Sequence, residues 1–214
     1  MMKKNNVIIT VLVSIFLIVG IHSVGQAAVV DNLIQVPTAN IINSQGAVAG
    51  EIVGDKGRLE VVYKLDPRVE AGGEISSYRG GNIELQPLVR ILFARQVANK
   101  PALAAGLKGY DLYTTVSKSL GHGLSGHIGY GDGDFGGLFV GVNKVINPVS
   151  VEITDDGNNK SISATSSLPT TNLMVEYINQ EINVGARIKI KDSFNLDLGM
   201  LDLDRFKLGV NYKF

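Results

Sequence analysis

The sequence predicts an all-β fold, an antiparallel up-and-down transmembrane β-barrel of about twelve strands, with ten or fourteen as neighbouring counts. Three observations carry that prediction. Apolar and polar residues alternate with period two along most of the chain, the alternating runs are roughly 8 to 11 residues long, and turn-forming residues bound them. A strand tilted across a bilayer needs about 9–11 residues, and its side chains alternate between lipid and lumen. Composition agrees by exclusion. The 214 residues include no Cys, which rules out disulfides and Cys-based zinc sites. A hydrophobic content of 45% is too high for a disordered chain, and 20 basic against 20 acidic residues lack the excess that nucleic-acid binding requires.

Taken in order, the chain opens with Lys3 and Lys4, an apolar run from Val7 to Ile21 and the small residues Gly25-Gln26-Ala27-Ala28. This is the layout of a secretory signal peptide, assigned to 1–27. The apolar run falls short of the roughly 20 residues that a spanning helix needs. Losing Lys3 and Lys4 leaves 18 basic residues against 20 acidic, so the exported chain carries a net charge of −2. Residues 28–45 then read as a periplasmic lead-in, and 46–214 as the barrel.

The clearest strand is the last. From Arg205 to Phe214 one face carries Phe206, Leu208, Val210, Tyr212 and Phe214, the other Arg205, Lys207, Gly209, Asn211 and Lys213. Glu181 to Ile190 repeats the pattern, with Ile182, Val184, Ala186, Ile188 and Ile190 on one face. Phe194, Leu196, Leu198 and Met200 continue it, and Leu59-Val61-Tyr63-Leu65 and Leu85-Pro87-Val89-Ile91-Phe93 are its upstream counterparts. Turns fall between runs at Gly54-Asp55-Lys56-Gly57, Asp66-Pro67, Arg79-Gly80-Gly81-Asn82, Asn99-Lys100-Pro101, Gly121-His122-Gly123 and Asn179-Gln180. Strands are therefore expected near 46–54, 58–65, 69–77, 83–95, 101–108, 110–120, 124–131, 135–145, 171–178, 181–190, 194–201 and 205–214. Residues 146–170 form a polar loop, with room for an extra hairpin at Val149 to Thr154 and Lys160 to Thr165, on the side of the membrane that holds the C-terminus.

A soluble sandwich also alternates, so the face opposite the apolar one decides. Here it is dense in Gly and in charges of both signs, as a narrow lumen requires. The expected lumen or pore residues are Glu60, Glu74, Glu84, Arg90, Glu176, Arg187, Lys189, Asp197 and Lys207, arranged as mutually neutralising pairs because buried charge demands a partner. Without Trp, aromatic girdles must be built from Tyr and Phe. The terminal alternation Phe206, Leu208, Val210, Tyr212, Phe214 resembles the C-terminal signal that bacterial outer-membrane barrels present to their assembly machinery.

Asn32-Leu33-Ile34-Gln35-Val36-Pro37-Thr38-Ala39, followed by Asn43-Ser44-Gln45-Gly46, resembles the opening of the YjbH-like outer-membrane proteins, with Asn32 where a Gly is usual. The strand-like stretches at 111–118, 136–144 and 173–177 are similar to strands of the same barrels. The resemblance implies a non-enzymatic outer-membrane barrel, in some members associated with exopolysaccharide. Expected partners are outer-membrane lipid, the barrel-assembly machinery, and a polysaccharide or another envelope protein; no nucleic acid and no cofactor are expected.

Two lesser motifs remain. Ser125 and His127 share a strand face and could form a nucleophile–base contact, but no orienting acid is identifiable. Asp132-Gly133-Asp134 reads as a turn, since two carboxylates fall short of the 6–8 oxygens Ca²⁺ takes. The alternatives to an open pore are a structural barrel with a plugged lumen and a secreted soluble β-sandwich that binds glycans.

Overall fold

The computed structural model describes residues 33–78, 81–98, 100–147, 150–155, 160–165 and 169–214. The signal peptide expected at 1–27 lies outside them, and the lead-in is described from residue 33 onward.

Twelve strands of the described residues close into one antiparallel barrel: β1 (Gly46–Val53), β2 (Lys56–Asp66), β3 (Val69–Tyr78), β4 (Ile83–Ala94), β5 (Ala102–Lys108), β6 (Asp111–Gly121), β7 (Leu124–Gly131), β8 (Gly137–Ile146), β11 (Thr171–Ile178), β12 (Glu181–Lys191), β13 (Phe194–Leu201) and β14 (Arg205–Lys213). Each strand pairs with its neighbours in sequence, and β1 pairs with β14 from Ala47↔Lys213 to Val53↔Lys207. Phe214 and Gly46 extend that seam by exchanging backbone hydrogen bonds of 3.0 and 3.1 Å. Closure leaves no free sheet edge, which removes the soluble-sandwich alternative. The hairpin anticipated in the polar loop is present as β9 (Ser150–Asp155) and β10 (Lys160–Thr165), a separate two-stranded sheet.

Period two in sequence becomes inside and outside in space. On β2, Val61, Tyr63 and Leu65 are exposed while Val62 is buried; on β4, Ile83, Leu85, Ile91 and Phe93 are exposed while Arg90 and Leu92 are buried. So large an apolar exterior is incompatible with water and fits lipid. Ten of the described aromatic side chains, those outside the buried row of Tyr113, Phe135 and Phe139, sort into two girdles. Tyr78, Tyr110, Tyr130, Tyr177 and Phe206 lie toward the end where β1 finishes, called here the far end; Tyr63, Phe93, Phe194, Tyr212 and Phe214 lie toward the near end, where the barrel begins and finishes. Tyr63 and Phe214 meet there with ring centroids 6.3 Å apart.

Connections at the far end are short. The widest is the β7–β8 connection, which contains a 3-10 turn at Gly133–Phe135 closed by Gly136 at φ 64°. Asp132 is consumed locally: its carboxylate accepts the Leu112 N–H at 2.5 Å. The Asp-Gly-Asp stretch is thus a turn device.

A barrel without edges is kinetically hard to open. The full chain should migrate as a compact species on a denaturing gel until boiled, and an absence of any heat-dependent shift would contradict the closed wall.

Candidate functional site in the barrel lumen

The segment expected as a lead-in runs through the lumen. Leu33, Ile34 and Val36 pack with Val53, Phe135, Ile178 and Leu201, all at far-end termini of their elements, together with Tyr113, Phe139 and Met174. Ala39 packs with Leu92, Ala102 and Ala104 at the near end, and Ile42 with Ala47 and Val62. Residues 33–45 therefore descend the lumen from far end to near end and feed directly into β1. Two glycines on the wall make room. A Cβ on Gly141 would lie 2.2 Å from Leu33 Cδ1, and one on Gly185 would lie 2.9 Å from Ile34 Cδ1.

A chain segment crossing a lumen carries backbone groups that must find partners, because no sheet ladder is available to it. The wall supplies them from inward-facing side chains of five strands. The Glu176 carboxylate on β11 accepts the N–H groups of Ile34, Gln35 and Val36 at 2.9–3.1 Å, and Asn183 Nδ2 donates to the same carboxylate at 2.8 Å. Lys207 on β14 donates to the Ile34 carbonyl at 3.0 Å, and Thr115 on β6 donates to that of Pro37 at 3.0 Å. The Ala39 N–H donates to Ser117 Oγ at 2.8 Å. Lower down, Glu70 on β3 accepts the Ile42 N–H at 3.0 Å, while Arg90 on β4 donates to the Asn40 carbonyl at 2.8 Å. Glu70 and Arg90 are themselves paired at 3.1 Å, both buried. These charge-assisted bonds compensate the burial of the carboxylates and hold the segment by its backbone.

Cavities lie toward both ends of the segment. The far-end vestibule, about 520 Å³, reaches down beside Leu33 to Pro37 as far as Glu70 and Arg90. The near-end cavity, about 420 Å³, is lined by Ala39 to Asn43, Leu92, Arg95 and Ala102. The Arg90–Glu70 pair, with the plug backbone at Asn40 and Ile42, stands between them.

The residues singled out in the sequence distribute as follows. Arg187 and Asp197 form an ion pair, bidentate at 2.7 and 3.0 Å, on adjacent strands. Lys207 pairs with Glu51 at 2.5 Å, and Arg58 reaches the same carboxylate at 2.9 Å. Glu74 pairs with Lys108 at 2.8 Å. Glu60 lines the vestibule with no ion pair among the described residues, and Glu176 holds backbone rather than a cation. Glu84 sits exposed toward the far end, accepting a bond from Gln86 at 2.9 Å. Lys189 sits at the near end of β12, half-exposed, 2.8 Å from Asp192 in the following turn. The hydrogen bond and charge of Lys189 hold the Asp192 carboxyl below its ordinary value. Phe206, Leu208, Val210, Tyr212 and Phe214 alternate on the outer side of β14 and at its end.

Sequence reasoning missed Glu51, Arg58, Glu70 and Lys108, which share the inward parity of the residues it chose, and it missed the plug altogether. His127 meets a serine, but across the strand pair: Ser117 Oγ lies 2.8 Å from Nδ1, and Asn143 Oδ1 lies 2.9 Å from Nε2. Asn143 Nδ2 then donates to Asn172 at 2.8 Å. The result is a ladder of polar side chains from β6 to β11 that ends on the plug at Ala39. Ser117 is buried and its oxygen is occupied by the Ala39 N–H, so no open space is available at that hydroxyl.

No protein-family model and no curated protein sequence matches this chain. Among solved structures it is similar to the KdgM porin, with a TM-score of 0.53 and 15% identity over 79% of this chain and 98% of that one. The KdgM porin in complex with disordered oligogalacturonate gives a TM-score of 0.47 at 15% identity over the same shares. The outer membrane protein Omp33 of Acinetobacter baumannii gives 0.44 at 10% identity, over 80% of this chain and 98% of that one. At such identity the first likeness shows the fold alone, a closed antiparallel barrel like that of the KdgM porin.

Proposed function

We propose that this chain is an outer-membrane protein of the bacterial envelope, exported with a cleaved signal peptide, whose barrel is a narrow pore closed at rest by its own residues 33–45. The observation that carries this reading is the separation of a far-end and a near-end cavity by a segment whose backbone is bonded to the wall. A lumen sealed for structural reasons would be filled by wall side chains, as in small barrels; here a continuous piece of chain ahead of β1 crosses it. The reading is non-enzymatic, supported by the burial of Ser117 beneath Ala39. The outward alternation of β14 suits recognition by the barrel-assembly machinery. The YjbH-like resemblance of residues 32–39 supports export of an exopolysaccharide as the finer role, with the polar loop at 146–170 as a contact for another envelope component.

Planar-bilayer recording of the full chain tests this. Long closed periods broken by openings are expected, and Arg187→Glu should make the open state more cation-selective, because it leaves Asp197 unpaired and adds a second acid beside it. The number of bonds holding the plug favours one other reading, a structural barrel that never opens. Silence from a folded, inserted barrel, including from the plug-weakened variant argued in the Discussion, would establish that reading instead.

A further inference from the structure

We infer that the near-end rim of β6 to β8 binds the headgroup of an anionic glycerophospholipid from the membrane leaflet at that end. The near-end aromatics are confined to one side of the barrel: Tyr63 on β2, Phe93 on β4, Phe194 on β13, Tyr212 on β14 and Phe214 just after it. On the opposite arc the wall carries lysines instead. Thr115 and Ser117 are buried on the inner face of β6, so Lys118 and Leu120 stand outside. Phe139 and Gly141 are buried on the inner face of β8, so Val142, Lys144 and Ile146 stand outside.

Neither ammonium has a carboxylate partner among the described residues. Lys118 Nζ donates to the Ala98 carbonyl in the β4–β5 connection at 3.1 Å, and Lys144 Nζ donates to the His122 carbonyl in the β6–β7 turn. Both side chains thus reach along the wall toward the near-end turns, as long cationic side chains do at a membrane boundary. An ammonium carries more donors than one carbonyl takes up, and a neutral acceptor leaves its charge uncompensated. Exposed Lys100 adds a third cation at the same level, and residues 95–98, 100–102, 116–126 and 142–147 contain no Asp or Glu.

The surroundings select an amphiphile. Leu120, Val142 and Ile146 are exposed beside the two lysines. Gly126 pairs with Lys118 on one side and Val142 on the other, so the rung between the lysine-bearing strands has no side chain and the wall is open there. A soluble anion would meet only the ammoniums, and a zwitterionic lipid brings its own cation beside its phosphate. A phosphodiester headgroup without an internal cation, with its acyl chains along Val140 and Val142, meets both the charge and the apolar wall. Each basic side chain close to an anionic leaflet strengthens binding by about fivefold.

Native mass spectrometry of the detergent-folded full chain with dioleoyl-phosphatidylglycerol tests the site, with dioleoyl-phosphatidylcholine and soluble glycerol 3-phosphate as parallel probes. Phosphatidylglycerol should bind saturably and about tenfold or more tightly than phosphatidylcholine, and glycerol 3-phosphate should not saturate at the same concentrations. Lys118→Gln/Lys144→Gln should remove the preference, and Lys118→Arg/Lys144→Arg should keep it. Arg68→Gln/Lys191→Gln, which removes two exposed cations at the same end but away from this arc, should also keep it. All variants must retain the heat-dependent gel shift. No saturable phosphatidylglycerol binding, no preference over phosphatidylcholine, or a preference that survives Lys118→Gln/Lys144→Gln in a folded chain overturns the proposal. An equal loss in Arg68→Gln/Lys191→Gln overturns its placement on this arc, and equal binding of glycerol 3-phosphate overturns its lipid part in favour of a soluble phosphate. The site lies outside the lumen and does not require conduction, so its failure leaves the pore reading standing, and the reverse.

Discussion

Glu176→Ala should free the plug. The substitution removes the one carboxylate that receives the N–H groups of Ile34, Gln35 and Val36 and the Asn183 amide. Each buried donor left without an acceptor costs about 1–3 kcal/mol, and the groups share one partner, so the loss of docking free energy is about 3–5 kcal/mol in total rather than the full sum. At about 1.4 kcal/mol per factor of ten, the equilibrium between seated and displaced plug shifts by a hundredfold or more. The strand ladders do not involve Glu176 as a side chain, so the gel shift should survive while open time in planar bilayers rises steeply. Glu176→Gln keeps one acceptor oxygen and should fall between. If Glu176→Ala is folded, inserted and as silent as the wild type, residues 33–45 do not gate the lumen.

Phe139→Ala should be the most destabilising single change in the wall. Phe139 is fully buried, 5.8 Å from Phe135 ring to ring, and Phe135 in turn lies 5.0 Å from Tyr113. This aromatic row joins β6, the β7–β8 connection and β8 beneath Leu33 and Val36. Gly129 opposite makes room for the ring: a Cβ there would sit 2.3 Å from the Phe139 ring and from the Thr114 carbonyl oxygen. Truncating a buried Phe costs about 3–5 kcal/mol through lost transfer energy and the cavity left behind. The temperature at which the compact gel species disappears should therefore fall clearly below that of the wild type. Because the row also supports Leu33 and Val36, the variant should conduct more as well. An unchanged melting temperature would mean that the row is packing around a cavity already present.

The two variants separate two contributions. Glu176 acts on the plug through polar bonds to its backbone, whereas Phe139 acts on wall and plug together through packing. A rise in conductance without loss of stability is expected only for the first.

The strand pattern was legible because a β-barrel writes its inside and outside into alternate residues. Strand by strand, the expected runs coincide with β1 to β8 and β11 to β14 within a few residues, and the hairpin in the polar loop is present. The inward parity of Glu60, Glu74, Arg90, Glu176, Arg187, Asp197 and Lys207 was legible for the same reason. Which charge pairs with which was not legible. Arg187 with Asp197 and Arg90 with Glu70 face each other across hairpins, whereas Lys207 meets Glu51 across the closing seam, and parity alone cannot choose among several inward acids within reach of one base.

The sequence by itself thus determined that this chain closes into a membrane barrel with a charged interior, because alternation, strand length and turn chemistry are local properties. Only the tertiary structure decided that the lumen is occupied, and by which residues. Leu33, Ile34 and Val36 are apolar enough to be buried, but nothing near them in the chain says against what. Their burial depends on Glu176, 140 residues or more away, on the space left by Gly141 and Gly185, and on Lys207 at the far side of the seam. A segment held by its backbone leaves little mark in its own side chains, since any residue offers the same N–H and C=O groups. The pattern that identifies it lies in the wall, and it becomes visible only when the wall is closed.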